Sequence, residues 1–502
     1  MFFEEILDAI AALASAKNKK TYLVGGFLRD LYLGKPGRDL DFAVSGNAMS
    51  LAQSVSEVLK GVYIPLDRIN RVARVVVEPH GEKWQIDFSS FKGLSIEEDL
   101  SNRDFTINAT ALELPAYIKL SGENGGLAAR RSERWRWHEL LMDPYGGLAD
   151  IENKTIRAIS KYVFEADPVR ILRGVRLAGK LGFNIKPETL DLMEQSRWLL
   201  QEVSGERVWE ELSAVLALPQ SYRWITVLDD IGALSELFPT EEIMKASSQD
   251  QSKDSAWAHS LRTYQLLEKI CGDPGPELPA TGRSEELREL ILRHLGQSLT
   301  SGRRRVQLLK IAALLHDPGQ AAAAVAADGG EDAPPGSSKA GLAYVSEFAR
   351  RLKISRTEES YLKKIAGGHV YPFRLFKDMP AGPAAIHRFF SKLGKEAPDT
   401  LLLSLANACS YGGGGEGAFD LPGYRAFIGD LLCKYYFEAE AYVHPPALVK
   451  GEELMAALAL PPSKKVGELL EKITEAQVSG EVANREEAIA YAAGLLDDKA
   501  GE

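Results

Sequence analysis

Cysteine is scarce: Cys271, Cys409 and Cys433 are the only three in 502 residues. They are too few and too scattered for a disulfide framework or a zinc cluster, so a reducing, cytoplasmic setting is expected. Long apolar runs are missing as well. The longest uncharged stretch, about Thr400 to Gly415, ends in four glycines and falls short of the ~18 apolar residues of a membrane span, which argues against a membrane role. The opening MFFEEILDAIAALASA carries Glu4, Glu5 and Asp8 where a secretory signal would be positive, and reads as an amphipathic helix. Nor is there an excess of positive charge. With 60 Lys and Arg against 70 Asp and Glu, the net charge is −10, which excludes a protein that coats nucleic acid through a broad basic surface. Contact with RNA must then be local, and the most basic strip is Lys154 to Lys186, where eight basic residues face Glu165 and Asp167.

What is present describes a globular chain of several domains. Hydrophobic residues make up 45% and charged residues 26%, and at ~150 residues per domain the length predicts three or four units. From Thr21 to about Leu114, short β-rich runs (YLVGG, DLDFAV, ARVVVE, WQIDFSS, FTINATALEL) alternate with helical stretches such as NAMSLAQSVSEVLK, the pattern of a small α/β domain with a mixed sheet. Beyond about Asp150 the strands are expected to stop and the spacing turns helical, giving a multidomain α+β protein. Loops rich in Gly, Pro and Ser interrupt it at Cys271–Glu285, Ala327–Gly341 and Tyr411–Gly417. Four units are expected, at 1–149, 150–243, 244–440 and 441–502. The segment Ser121 to Leu141 reads as a loop or insertion; its Trp135 and Trp137 lie among four arginines, which suits either stacking on RNA or packing on the protein itself.

The chemistry concentrates in YLVGGFLRDLYLGKPGRDLDFAV. Gly25 and Gly26 follow a strand, Arg29 and Asp30 begin a helix, and Asp39 and Asp41 lie on a second strand. Carboxylates at i and i+2 of a strand share one face, so this pair can hold hard, oxygen-preferring Mg²⁺ ions, and paired metals can activate a 3′-hydroxyl and stabilise a pyrophosphate leaving group. Glycines before a helix admit phosphates to backbone N–H groups, where Arg29 adds charge. Asp87, between Ile86 and Phe88, is the candidate third acid. In DLSNRDFTINA, Arg103, Asp104 and Asn108 suit contacts to ribose or phosphate, or equally a structural ion pair.

In EADPVRILRGVRLAGKLGF a helix is predicted. At ~100° per residue, Arg170, Arg173, Arg176 and Lys180 share one face, with Ile171, Val175 and Ala178 opposite. Asp167 with Arg170 can read a base, because a carboxylate accepts from the exocyclic amino group of C or A and a guanidinium donates to the adjacent ring nitrogen. The intervening DPYGGLADI predicts a tight turn feeding a helix or strand, and a hinge.

In this order these motifs resemble the class II nucleotidyltransferases, the tRNA CCA-adding enzymes and bacterial poly(A) polymerases, over about residues 21–185. The resemblance implies a nucleotidyltransferase head followed by a helical neck and body. It implies Mg²⁺ on Asp39 and Asp41, with Asp87 beside them. Nucleotide contacts from Gly25, Gly26, Arg29, Arg103, Asp104, Asn108 and Arg173 are also implied, and base pairing by Asp167 with Arg170. The substrates would be CTP and ATP, the partner a tRNA 3′ end. Where many members carry Glu-Asp at the base-selecting motif, this chain has Ala166-Asp167.

A second similarity is to HD phosphohydrolases. His259, His316, Asp317 and Asn407 are its candidate site, with His369 nearby, and two histidines and an aspartate on helices can ligate a divalent metal. Asn407 stands where an acid is expected and Gln320 where a lysine is common, so a retained helical scaffold is the expectation. Three readings therefore compete: an enzyme adding CCA, CC, A or poly(A) to RNA; an HD phosphohydrolase; and a non-catalytic RNA-binding module. Oligomeric state is not encoded in these motifs.

Overall fold

The computed structural model describes residues 2–35, 37–124, 140–238, 244–245, 255–278, 282–300, 302–316, 339–411 and 419–498. The chain divides into two compact units, residues 1–203 with 230–233, and residues 204–229 with 234–502.

The first unit is built on a six-stranded sheet in the order β3-β4-β5-β2-β1-β6, from β1 (Thr21–Val24), β2 (Asp39–Val44), β3 (Val62–Asp67), β4 (Val72–Val77), β5 (Trp84–Ser90) and β6 (Ala111–Glu113). The β2–β5 pair is parallel and the rest are antiparallel, so the sheet is mixed. Period-two alternation sorts its faces. Leu40, Phe42, Val75, Ile86 and Phe88 enter one hydrophobic core with Leu51 and Val55 of the helix Ala48–Val58, whose N-terminus is capped by the Asn47 side chain accepting from Met49 and Ser50 N–H. Asp39, Asp41, Arg74 and Asp87 occupy the alternate positions. On that other face a smaller cluster of Tyr22, Val24, Ala43, Ile96 and Leu100 covers the β1–β6 end and leaves the acidic end open.

Two departures from the sequence reading stand out. FTINATALEL is not one strand: Thr106–Asn108 form a 3₁₀ turn and only Ala111–Glu113 pair in the sheet. Strands also continue past Asp150, as two short pairs, Thr155–Ile156 with Asn184–Ile185 and Ser298–Thr300 with Arg303–Arg304. They are two or three residues long, below what alternation can signal.

The second unit is helical apart from the Ser298–Arg304 pair. Its centre is the helix Ala397–Ser410, in which every residue but Cys409 is buried; the part of the uncharged run from Thr400 to Ser410 is thus a core helix. No helix among the described residues is long and apolar enough to cross a membrane. Buried charge here is paired: Lys310 donates to Glu268 at 2.7 Å, to Ser221 Oγ at 2.8 Å and to the Leu216 carbonyl at 3.0 Å, as desolvated ions require. Towards the C-terminus the helices Gly451–Leu458, Lys464–Val478 and Arg485–Asp498 enclose their own core of Leu454, Leu469, Ile473 and Ala488.

Candidate active site

A cleft of about 390 Å³ opens over the acidic end of the sheet. Of the residues expected to form the site, Gly25, Gly26, Asp41, Asp87, Arg103, Asp104, Asn108, Asp167, Arg170 and Arg173 all line it. Asp39 lies one alternate position from Asp41 on the same face of β2, exposed, and accepts from Gln85 Nε2 at 3.2 Å. Asp41 and Asp87 are direct register partners on β2 and β5.

The floor of the cleft is electrostatically strained. Burial pushes the Asp41 carboxyl up to about 6; Arg103 and Arg173 work against this shift, while Asp87 and Asp39 reinforce it. Gly25 shapes the wall. Its φ of +72° belongs to glycine, and a Cβ there would stand 3.0 Å from Arg103 Nη1 and 3.2 Å from Asp41 Oδ2. Arg103 is aimed by an ion pair with Asp99 at 3.1 Å, and Asp99 is itself fixed by accepting from Lys92 N–H at 3.0 Å.

Asp104 is buried. Although burial raises its pKa, the Arg173 guanidinium, the Asn108 amide and the Phe105 N–H together hold it below the ordinary carboxylate value. The Arg173–Asp104 distance is 2.9 Å. The helix Arg170–Leu181 buries Ile171, Val175 and Ala178 as its spacing predicts, and Gly182 in the left-handed region ends it. Gly174 allows close packing, since a Cβ there would fall 2.5 Å from Met193 Cε and 2.7 Å from Phe105 Cζ.

Arg29 is placed differently from the expectation of direct nucleotide contact, whereas Arg170 lines the cleft and is also tied to the backbone. Arg29 is 4% exposed and is engaged by Asp30 at 2.8 Å and Asn108 Oδ1 at 2.7 Å; it braces Asn108 and does not line the cleft. Arg170 donates to the backbone carbonyls of Asn102 at 3.0 Å and Arg103 at 3.2 Å, with Asp167 3.9 Å away, so it ties the helix to the turn that carries Arg103. DPYGGLADI forms the expected turn and helix start. Asp143 accepts from Gly147 and Leu148 N–H at 2.6 and 2.9 Å, and Asp150 binds both Thr106 Oγ1 and Arg157.

Sequence reasoning missed Arg74, which donates to both oxygens of Asp87, Nε to Oδ1 at 2.7 Å and Nη2 to Oδ2 at 2.8 Å. Its signal was present: in ARVVVE the charged Arg74 stands between Ala73 and Val75, which are buried. Among the described residues no group of three or more His, Cys, Asp or Glu is arranged to hold a metal. Asp39 and Asp41 nonetheless fit a hard divalent cation, as two carboxylates on one face, with the Asp41 carboxylate destabilised first by burial and then by its acidic neighbours, which a cation would offset.

In the helical unit, His259, His316 and His369 converge, with ring centroids 5.4 Å apart for the first two and 5.0 Å for the last two. His259 Nε2 bonds Asn407 Oδ1 at 2.7 Å, while His316 and His369 donate through Nδ1 to the Ala313 and Ala366 carbonyls at 2.8 and 2.7 Å. Asp317, like Trp135 and Trp137, lies outside the described residues.

A mixed sheet presenting D-x-D beside a diglycine turn, with a basic helix closing the cleft, defines the head of a nucleotidyltransferase, and residues 21–157 match the poly A polymerase head domain. Residues 182–244 match the probable RNA and SrmB-binding site of polymerase A, and 444–493 the putative domain 2 of tRNA nucleotidyltransferase. The CC-adding tRNA nucleotidyltransferase of Geobacter sulfurreducens is 30% identical over 491 residues, 96% of this chain and 94% of that one. The A-adding tRNA nucleotidyltransferase of Deinococcus radiodurans is 28% identical over 475 residues, 93% of this chain and 94% of that one. The fold is shared with the Thermotoga maritima CCA-adding enzyme solved with tRNA, at a TM-score of 0.60 and 19% identity, covering 98% of this chain and 95% of that one. The chain belongs to the tRNA nucleotidyltransferase and poly(A) polymerase family.

Proposed function

We propose that this protein adds C, A or both from CTP and ATP to the 3′ end of tRNA without a template, using Mg²⁺ held by Asp39 and Asp41. The observation that carries the reading is the pair of carboxylates on one face of β2, Asp41 lying beneath the space left by Gly25 with Arg103 and Arg173 acting on it, and Asp39 one alternate position away. Bound there, divalent metal would supply the charge that activates the 3′-hydroxyl and offsets the leaving pyrophosphate. Asp87 is the third acid of the site. Arg103 and Arg173 lend positive charge to the phosphates, and Gly25 and Gly26 let them approach the backbone. Asp104 and Asn108, braced by Arg29, form the ribose side. Asp167 accepts from the exocyclic amino group of C or A. Arg170, whose five N–H donors exceed the carbonyls it serves, supplies the neighbouring donor.

Partial addition is the second reading, favoured because the CC-adding and A-adding relatives align along nearly the whole chain. The deciding experiment offers labelled CTP and ATP, separately and together with Mg²⁺, to tRNA transcripts ending before CCA, after C and after CC. Completion of the shortest transcript means a full CCA-adding enzyme. Growth that stops at CC, or A added only after CC, means a partial one. Asp39→Ala and Asp41→Ala should each abolish incorporation while RNA binding remains; unchanged incorporation in either would refute the assignment.

A further inference from the structure

Both oxygens of the third acid are already occupied. Asp41, Asp87 and Arg74 form one row across β2, β5 and β4, each the register partner of the next, and strand alternation turns all three to the cleft face. Arg74 meets Asp87 as a fork, with two bonds of 2.7 and 2.8 Å, the geometry in which guanidinium and carboxylate orient each other most firmly. Neither side chain is deeply buried, at 35% and 28% exposure, and Asp87 lines the cleft. Its charge also serves the whole acidic row: Asp87 chiefly, then Asp39 and Asp41, hold the Arg74 guanidinium more firmly protonated.

We propose that Arg74 is a positioning residue that clamps Asp87 and acts as the resident counter-charge of the acidic row. It keeps Asp87 from serving as a full metal ligand, so that a divalent cation is held by Asp39 and Asp41. The proposal rests on the metal-dependent reading of the site and refines it, and three features of the structure argue for it together. The row is fixed by backbone register and not by a flexible loop. The fork uses both Asp87 oxygens, whereas the Asp39 carboxylate has only a neutral amide, Gln85, at 3.2 Å. And no three-acid metal group exists among the described residues, although three acids are present within two neighbouring strands. A cation entering the row therefore competes with Arg74 for the same field, and the clamp weakens binding while holding the Asp87 carboxylate at a set distance.

The test is the affinity of the full-length protein for Mn²⁺, read by calorimetry in the absence of nucleotide and tRNA. Arg74→Gln should bind Mn²⁺ about tenfold more tightly than wild type, a change of about 1.4 kcal/mol. Arg74→Lys, which keeps the charge and loses the fork, should fall between them. In the Asp87→Asn background the gain from Arg74→Gln should shrink to what the lost counter-charge alone contributes, because the freed carboxylate is the larger source. A general loosening of the sheet would lower affinity, so a gain separates the clamp from a purely structural role. Unchanged or weaker Mn²⁺ binding by folded Arg74→Gln, or a gain of undiminished size with Asp87→Asn, overturns the clamp. Asp39→Asn serves as the separate control: if it leaves wild-type Mn²⁺ binding intact, the metal site itself is misplaced, whatever Arg74 does.

Discussion

At the scale of single residues, the site depends on what is absent as much as on what is present. Gly25 has no Cβ to fill the space between Arg103 and Asp41, and its φ of +72° admits few other residues. Gly25→Ala should therefore act twice. Holding alanine in that backbone region costs roughly 1–2 kcal/mol, and the methyl group intrudes on both charged neighbours. The expected outcome is a modest fall in Tm with a much larger loss of nucleotide affinity, on the order of tenfold or more for about 1.4 kcal/mol of displaced contact. Equal affinity for CTP and ATP in the variant and the wild type would show that the triphosphate does not use this gap. The sequence disclosed Gly25, Asp39, Asp41 and Asp87 because each sits in a local pattern. It did not disclose the hydrogen-bond partners of Arg29 and Arg170, Asn108 and the Asn102–Arg103 carbonyls, which are 79 and 67–68 positions away in the chain. No local spacing carries that information.

At the scale of elements, alternation and helical period did most of the work, and they failed where elements are short. Strand β2 and the helix Arg170–Leu181 could be read because each presents several turns or pleats of consistent pattern. The pairs of two- and three-residue strands after Asp150 could not, and β3 was masked by Pro65 and by an exposed apolar row of Val62, Ile64 and Leu66 on the sheet edge. The helix Arg170–Leu181 carries a prediction of its own. Its approach to Phe105 is set by Gly174, so Gly174→Val must push the helix out or force the buried Phe105 ring aside. Overpacking of this kind costs about 1–3 kcal/mol, more than the helix gains by losing a glycine. Because Arg170 and Arg173 ride on the same helix and fasten it to the Arg103 turn and Asp104, the variant should show both a lower Tm and a raised KM for nucleotide. A lowered Tm with unchanged KM would mean that the nucleotide does not depend on this helix.

At the scale of the whole molecule, a chain of net charge −10 that acts on RNA has to concentrate its positive charge, and the strip Lys154–Lys186 is where the sequence does so. The structure gives that strip exposed members: Lys161 sits 4.8 Å from the ring of Tyr162, itself 57% exposed, and Lys180 is exposed on the last turn of the basic helix. Such a cation beside an open aromatic ring offers RNA both charge and a stacking surface. If this strip is the electrostatic footprint, tRNA affinity should fall with salt along a shallow line, since few phosphates are neutralised, and each lysine removed should reduce the slope by about one unit. Lys161→Ala with Lys180→Ala should therefore raise the KM for tRNA most at low salt and leave the KM for CTP and ATP unchanged, because neither lysine lines the nucleotide cleft. A double variant with the wild-type salt slope would move the RNA path off this face. A loss of nucleotide affinity of equal size would mean instead that the substitutions disturb the cleft, and that charge on this strip serves the fold more than the RNA.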